Sequence, residues 1–347
     1  MSSDGNAKRA GTSLKEFDFI NKIKSMRQIA PYKAVLDIGD DCFVHDLGNG
    51  KGQAVTVDLL IENVHFSHEF ITPFELGRKA AAVNLSDLAA MGATPRYAFL
   101  GLSLPKGEDA REAEIFMNGL LKELESNGAA LAGGDLTGGA KWSISLTVMG
   151  DVNVDAMLRR NTFRPGQKLA VTGTVGNSAA GLNWLLHHSM NADVPVDEDV
   201  SIYLVEAHHL PTPRVREALF LAEKGVRAGI DLSDGLGSDC RRVAERSNCG
   251  LLINMETVPV SKQLRAYCAT TEEQYSRYAI SGGEDYELLV GLPAEDAGDI
   301  IKEFNETFPN TGLTVIGEVI EGTEVKIRYS DGSVKALPGP EYRHFSS

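Results

Sequence analysis

Ala82-Val83-Asn84-Leu85-Ser86-Asp87-Leu88-Ala89-Ala90-Met91-Gly92 ends a long helical pattern that starts at Pro73. Thr72 is placed to cap it, Pro73 suits a first helical position that needs no N–H, and Gly92 stops it. The run is largely apolar, yet Asp87 sits inside it. A carboxylate there is costly unless it has a partner, which weakens a purely structural reading of Asp87.

Outward from this helix, strands and helices alternate. Strands are expected at 54–60, 98–104, 143–148, 168–172, 227–232 and 287–292, and helices at 109–127, 177–187, 212–224 and 235–247. An earlier helix is expected where Phe17, Ile20, Ile23 and Met26 recur at helical spacing. Such mixing indicates an α/β protein of the α+β type. The 347 residues exceed what one core usually encloses, so two domains are expected. The best seam lies between Asp151 and Gly166, where one strand pattern ends and Arg164-Pro165-Gly166 precedes the next. The expected divisions are a polar tail at 1–12, a first domain at 13–152 and a second at 153–347.

With 43% hydrophobic residues and 7% aromatics the composition is that of a globular protein. The 34 Lys and Arg against 48 Asp and Glu give a formal charge of -14, which disfavours nucleic acid and anionic membrane as partners. Cys42, Cys240, Cys249 and Cys268 lack zinc-ligand spacing and read as reduced thiols. With no apolar run long enough to span a bilayer and no signal-like N-terminus, a cytoplasmic location is expected.

The acidic residues are informative by position. Asp40 and Asp41 follow Gly39; Asp58 ends Val55-Thr56-Val57; Asp135 follows Gly133-Gly134. Asp231 and Asp234 frame Leu232-Ser233 before Gly235, and Glu284 and Asp285 follow Gly282-Gly283. Each Gly-Asp pair alone could be a turn or a helix cap. Together with Asp87 they form an oxygen-only set suited to Mg²⁺, which is usually held by a few carboxylates, waters and substrate phosphates. Several such ions between protein and ligand would let an acidic chain hold an anionic nucleotide.

Other features admit two readings. His65 in Asn63-Val64-His65-Phe66 is a satisfied loop histidine or a ligand contact, and Arg160 is a surface charge or a site residue. Thr172-Gly173-Thr174-Val175-Gly176-Asn177-Ser178 is a phosphate cradle or a tight turn, and it lacks the Gly-Lys-Ser/Thr ending of a Walker A loop.

Taken together, residues 82–93, the Asp231 to Leu236 motif and Gly282-Gly283-Glu284-Asp285-Tyr286-Glu287-Leu288 resemble the thiamine-monophosphate kinase family. That family lies in the superfamily of aminoimidazole ribonucleotide synthetase and selenophosphate synthetase, and the resemblance runs from about Phe17 to Phe345. It implies a homodimer whose N-terminal domains pair into a β-barrel flanked by helices, with a C-terminal α/β domain covering the nucleotide. It implies ATP and thiamine monophosphate as substrates. Carried over by position, Asp41, Thr56, Asp58, Asp87, Asp135, Asp231 and Asp234 would be Mg²⁺ ligands, with Val57 contributing only through its carbonyl. Gly134, Asp135, Arg160 and Ser233 would contact ATP, and His65, Glu284 and Tyr342 thiamine monophosphate. Asp40 would shape its turn. Two departures stand out: Val57 replaces a common Thr, and Glu341 precedes Tyr342 where Gly is usual.

The implied reaction is direct in-line transfer of the γ-phosphoryl group, with Asp41, Asp87 and Asp231 acting through metal and Arg160 adding fixed positive charge. Three rivals are weighed. An aminoimidazole ribonucleotide synthetase activity fits the motifs at 84–93 and 282–288 less well. A selenophosphate synthetase would need a reactive Cys near the N-terminus, and none precedes Cys42. A non-catalytic regulator would have little reason to keep mutually repelling carboxylates.

Overall fold

The computed structural model describes residues 16–189 and 196–337. The expected tail at 1–12 and Tyr342 lie outside the described residues. Two sheets organise the chain. The first is built from β1 (Ala34–Leu36), β2 (Phe43–Gly48), β3 (Lys51–Ile61), β4 (Thr94–Pro105), β5 (Ala130–Gly139) and β6 (Ser143–Asn153), in the order β1-β2-β3-β6-β4-β5. Its helices are α1 (Glu16–Met26), α2 (Pro73–Ala90) and α3 (Ala110–Ser126). Within one chain this sheet is open, with β1 and β5 at its edges.

The second sheet contains β7 (Lys168–Thr172), β8 (Ala228–Asp231), β9 (Gly250–Asn254), β10 (Leu288–Leu292), β11 (Leu313–Ile320), β12 (Val325–Arg328) and β13 (Val334–Ala336), in the order β13-β12-β9-β11-β7-β10-β8. Around it lie α4 (Asn177–Ser189), α5 (Glu198–His209), α6 (Val215–Glu223), α7 (Leu236–Ser247), α8 (Lys262–Thr271), α9 (Tyr275–Ser281) and α10 (Ala297–Thr307). Each sheet contains one parallel pair, β4 with β5 and β9 with β12; the other pairings are antiparallel. The result is a two-domain α/β fold. Among the described residues no helix is long and apolar enough to cross a membrane.

The α2 helix is the spine. Thr72 and Glu75 form a reciprocal capping box, Pro73 opens the helix, and Gly92 follows it with φ +63°. Its near-uniform apolarity has a physical cause, since a helix buried on all sides has no polar face. Leu76, Val83 and Leu88 enter the core of the first sheet, whereas Ala89 and Ala90 pack with Leu158, Ala218 and Leu221 of the second domain. Residues at this crossing therefore belong to both domains.

The approach of α2 to α3 depends on two glycines. A Cβ at Gly119 would overlap the Phe74 carbonyl, and one at Gly77 would overlap that of Phe116. Gly119→Ala is accordingly expected to destabilise the protein by about 1–3 kcal/mol in chemical denaturation, the usual range for overpacking. An unchanged midpoint would mean that the helices can separate without loss.

Candidate active site

Three of the expected acidic residues gather where α2, the end of β8 and the turn before β2 meet. One carboxylate oxygen from each of Asp41, Asp87 and Asp231 lies within 4.8 Å of the others. Each is held by a different device. Thr56 Oγ1, on β3, donates to Asp87 at 2.5 Å. Ser86 Oγ donates to Asp231 at 2.7 Å across a separation of 145 residues. Arg160 forms an ion pair with Asp41. The backbone N–H of Asp58 donates to Asn84 Oδ1 at 3.0 Å, which ties β3 to α2 beside the trio.

Electrostatics make this cluster costly when it holds only protein. Burial, with repulsion from neighbouring carboxylates, pushes Asp87 and Asp231 well above the ordinary carboxylate range. Burial together with Asp234 and Asp41 pushes Asp58 up to about 6. Burial opposes the charge on Arg160, yet Asp41 beside it raises its pKa. Asp41 Oδ2 and Asp231 Oδ1 are buried with no hydrogen-bond partner. Orphaned carboxylate oxygens beside an all-oxygen donor set fit a hard divalent cation.

The remaining acids divide by environment. Asp40 accepts from the backbone N–H of Asp41 at 3.0 Å and from that of Arg160 at 3.4 Å, which shapes the turn. Asp234 pairs with Arg242, and Arg242 also pairs with the buried Asp239 at 2.8 Å. Burial, partly offset by Arg242, pushes Asp239 up to about 7. Strand alternation turns Val57 to the opposite face from Thr56 and Asp58, 58% exposed. Asp135 lies exposed on β5 and is not part of the close trio.

Gly134 and Asp135 instead line a cleft of about 650 Å³ between α3 and strands β4 and β5, with Leu100, Leu102, Met117 and Asn118. Its apolar walls, with a few polar groups, have the character of a small-molecule site. Met117, Asn118 and the strand itself escape a sequence reading, because β5 carries Gly133, Gly134, Gly138 and Gly139 and shows no apolar alternation.

The Gly-rich loop before α4 is already occupied. Asp285 accepts from the N–H groups of Gly176 at 2.6 Å and Ser178 at 3.3 Å, so a carboxylate caps this helix. Asp285 belongs to a strained turn: its neighbours Glu284 and Tyr286 have φ +64° and +52°. The turn is held by Glu284 N–H to the Ser233 carbonyl at 2.7 Å and Tyr286 N–H to that of Leu232 at 2.9 Å. Glu284 Oε2 accepts from buried Lys79 Nζ at 2.9 Å. His65 accepts the N–H of Ile61 on Nδ1 at 3.0 Å and lies near enough to help depress the pKa of Glu284. The structure thus brings His65 and Glu284 together and places Ser233 against the same turn. Sequence reading passed over Lys79, whose charge looks like a solvated helix face.

Family models described as AIR synthase related protein, N-terminal domain and C-terminal domain, match residues 39–152 and 164–330. The chain is 35% identical to thiamine-monophosphate kinase of Escherichia coli strain K12 over 332 residues, covering 96% of this chain and 98% of that one. It is 31% identical to the Bacillus subtilis protein of the same name, covering 95% and 99%. Among solved structures, AaThiL complexed with AMPPCP and TMP aligns with a TM-score of 0.80 at 31% identity, covering 95% of this chain and 97% of that one.

Proposed function

The chain belongs to the thiamine-monophosphate kinase family, and we propose that it transfers the γ-phosphoryl group of ATP to thiamine monophosphate, giving ADP and thiamine diphosphate. The observation that carries this reading is the convergence of Asp41, Asp87 and Asp231, with two buried oxygens unpartnered, at the junction of the two domains.

Asp41, Asp87 and Asp231 would hold Mg²⁺, with Thr56, Asp58, the Val57 carbonyl, Asp135 and Asp234 as further donors, so that more than one ion is bound. When bound, these ions neutralise charge on the phosphates of donor and acceptor. Arg160 adds a fixed positive charge beside Asp41. A phosphate monoester has a second pKa of about 6, so the acceptor oxygen is mostly deprotonated at neutral pH and the chain needs no general base. Thr56, Ser86 and Asn84 hold their partners in place, and that prior positioning is what a loose phosphoryl-transfer transition state asks of the protein.

Transfer is direct and in line, with the bond to ADP breaking as the bond to the acceptor oxygen forms. No covalent phosphoenzyme is expected, and burial with four neighbouring carboxylates keeps Cys42 a protonated thiol. The cleft at Gly134 and Asp135 receives the nucleoside, and Ser233 and Arg160 its phosphates. His65, Glu284 and Tyr342 meet thiamine monophosphate.

Homodimer formation is supported by the face of the first sheet opposite its helices. There Val57 and Leu59 on β3 and Tyr97 and Phe99 on β4, the two strands that flank β6, are 40% to 58% exposed, a patch that a second copy can cover by completing a barrel. The four cysteines are free and buried, as suits a reducing cytoplasm.

The test is product formation from ATP and thiamine monophosphate, with and without Mg²⁺, beside unphosphorylated thiamine as acceptor. Metal-dependent ADP and thiamine diphosphate, with thiamine inert, is the expected result. ADP formed equally well with thiamine would show that the acceptor phosphate is not recognised.

A further inference from the structure

Among the described residues Lys79 is the only fully buried lysine, with 1% exposure. It lies on α2 in the first domain, and its Nζ reaches Glu284 Oε2 in the second at 2.9 Å. His208 on α5 completes the cluster. Its Nε2 lies 3.4 Å from Lys79 Nζ, and its Nδ1 lies 3.0 Å from Ser178 Oγ and 3.3 Å from the same Glu284 oxygen. Burial and the Lys79 charge push His208 down to about 3, so the cation facing Glu284 is Lys79.

A tie between domains does not require charge. Apolar groups of similar volume usually stabilise such a contact as well or better. Here both contacts fall on Oε2, and the Glu284 side chain keeps 29% exposure on a strained turn next to Ser233. One oxygen is clamped, and among the described residues Oε1 makes no hydrogen bond or ion pair.

We propose that Lys79 is a positioning residue for substrate recognition: it clamps Glu284 through Oε2 so that Oε1 meets the cationic ring of the thiamine phosphate. This rests on the kinase reading above. Burial alone would raise the pKa of Glu284, and Lys79 is the first influence that lowers it. The groups facing Glu284 include Lys79 from α2, His208 and His209 from α5, His65 from the turn after β3 and the Tyr286 phenol on its own turn, with Glu75 lying 3.9 Å from His209. Without Lys79 the carboxyl would take a proton as pH falls and lose its attraction for a cation.

The test compares Lys79→Met, Lys79→Arg and Glu284→Gln with wild type in steady-state kinetics between pH 6 and 9. The acceptors are thiamine monophosphate and an analogue whose thiazolium is replaced by neutral thiophene. Lys79→Met is expected to raise KM for thiamine monophosphate at least about tenfold and to leave KM for ATP within about twofold. The penalty should grow toward pH 6, and discrimination against the neutral analogue should shrink. Lys79→Arg should recover most of the loss. Glu284→Gln should match Lys79→Met near pH 6, which keeps the proposal testable if the latter fails to fold. Equal effects on both substrates, a pH-independent penalty, or undiminished discrimination would overturn it. Wild type that turns over no thiamine monophosphate would instead overturn the kinase reading.

Discussion

Replacing Asp87 by Asn is expected to lower turnover about 10³-fold while leaving a folded protein that, in chelator, resists unfolding better than wild type. Both effects have one cause. Asp87 is held beside Asp41 and Asp231, and burial with their repulsion raises its pKa far above the ordinary range. Asn keeps the shape and can still accept the Thr56 hydroxyl, so packing survives while one anionic donor is lost. Removing a preorganised charge at a reacting centre typically costs about 10² to 10³ in rate. Removing a buried, mutually repelling carboxylate relieves the folded state. Rate and thermal midpoint measured on the same preparation check this, and a variant within tenfold of wild type would exclude Asp87 from the reaction centre.

The metal-free protein is expected to lose stability as pH rises from about 4 through neutrality, and Mg²⁺ with nucleotide is expected to reverse the loss. The sign follows from linkage. Asp58 is pushed up to about 6, Asp40 and Asp239 to about 7, and Asp87 and Asp231 higher, in every case chiefly by burial. An acid whose folded pKa exceeds its unfolded value of about 3.9 binds its proton more tightly when folded, so stability falls with pH across that window. Asp37, held down to about 2 chiefly by its hydrogen bond with Arg27, acts the other way and only at lower pH. In chelator the thermal midpoint should drop by about 5 °C or more between pH 5 and pH 8. Asp87→Asn should flatten that slope, and a midpoint that rises with pH would contradict the assignment of these acids.

The sequence announces some parts of this site and hides others, for physical reasons. Asp87 is legible because a carboxylate within an apolar helix contradicts its surroundings, and the Thr72 cap, Pro73 and Gly92 bound that helix by local chemistry. The strands at 168–172 and 54–60 are legible from their apolar runs, the second extending to Lys51–Ile61 in the structure. The strand at 130–139 is not, because an exposed, glycine-rich edge has no burial to impose alternation. The partnerships are hidden for another reason. Ser86 with Asp231, Lys79 with Glu284 and Arg160 with Asp41 join residues far apart in the chain, and no local pattern encodes them. Lys79 in particular reads as a solvated charge until the second domain is seen to cover it. Asp285 shows the opposite outcome: its glycine context suggests ligand chemistry, and the structure uses it to cap α4.

The most direct test of the account is anomalous diffraction from crystals grown with Mn²⁺, the non-hydrolysable analogue AMPPCP and thiamine monophosphate. More than one metal peak is predicted, with one between Asp41, Asp87 and Asp231 at coordination distance from both protein and phosphate oxygens. Bound nucleotide and substrate with no metal at those three carboxylates would contradict it.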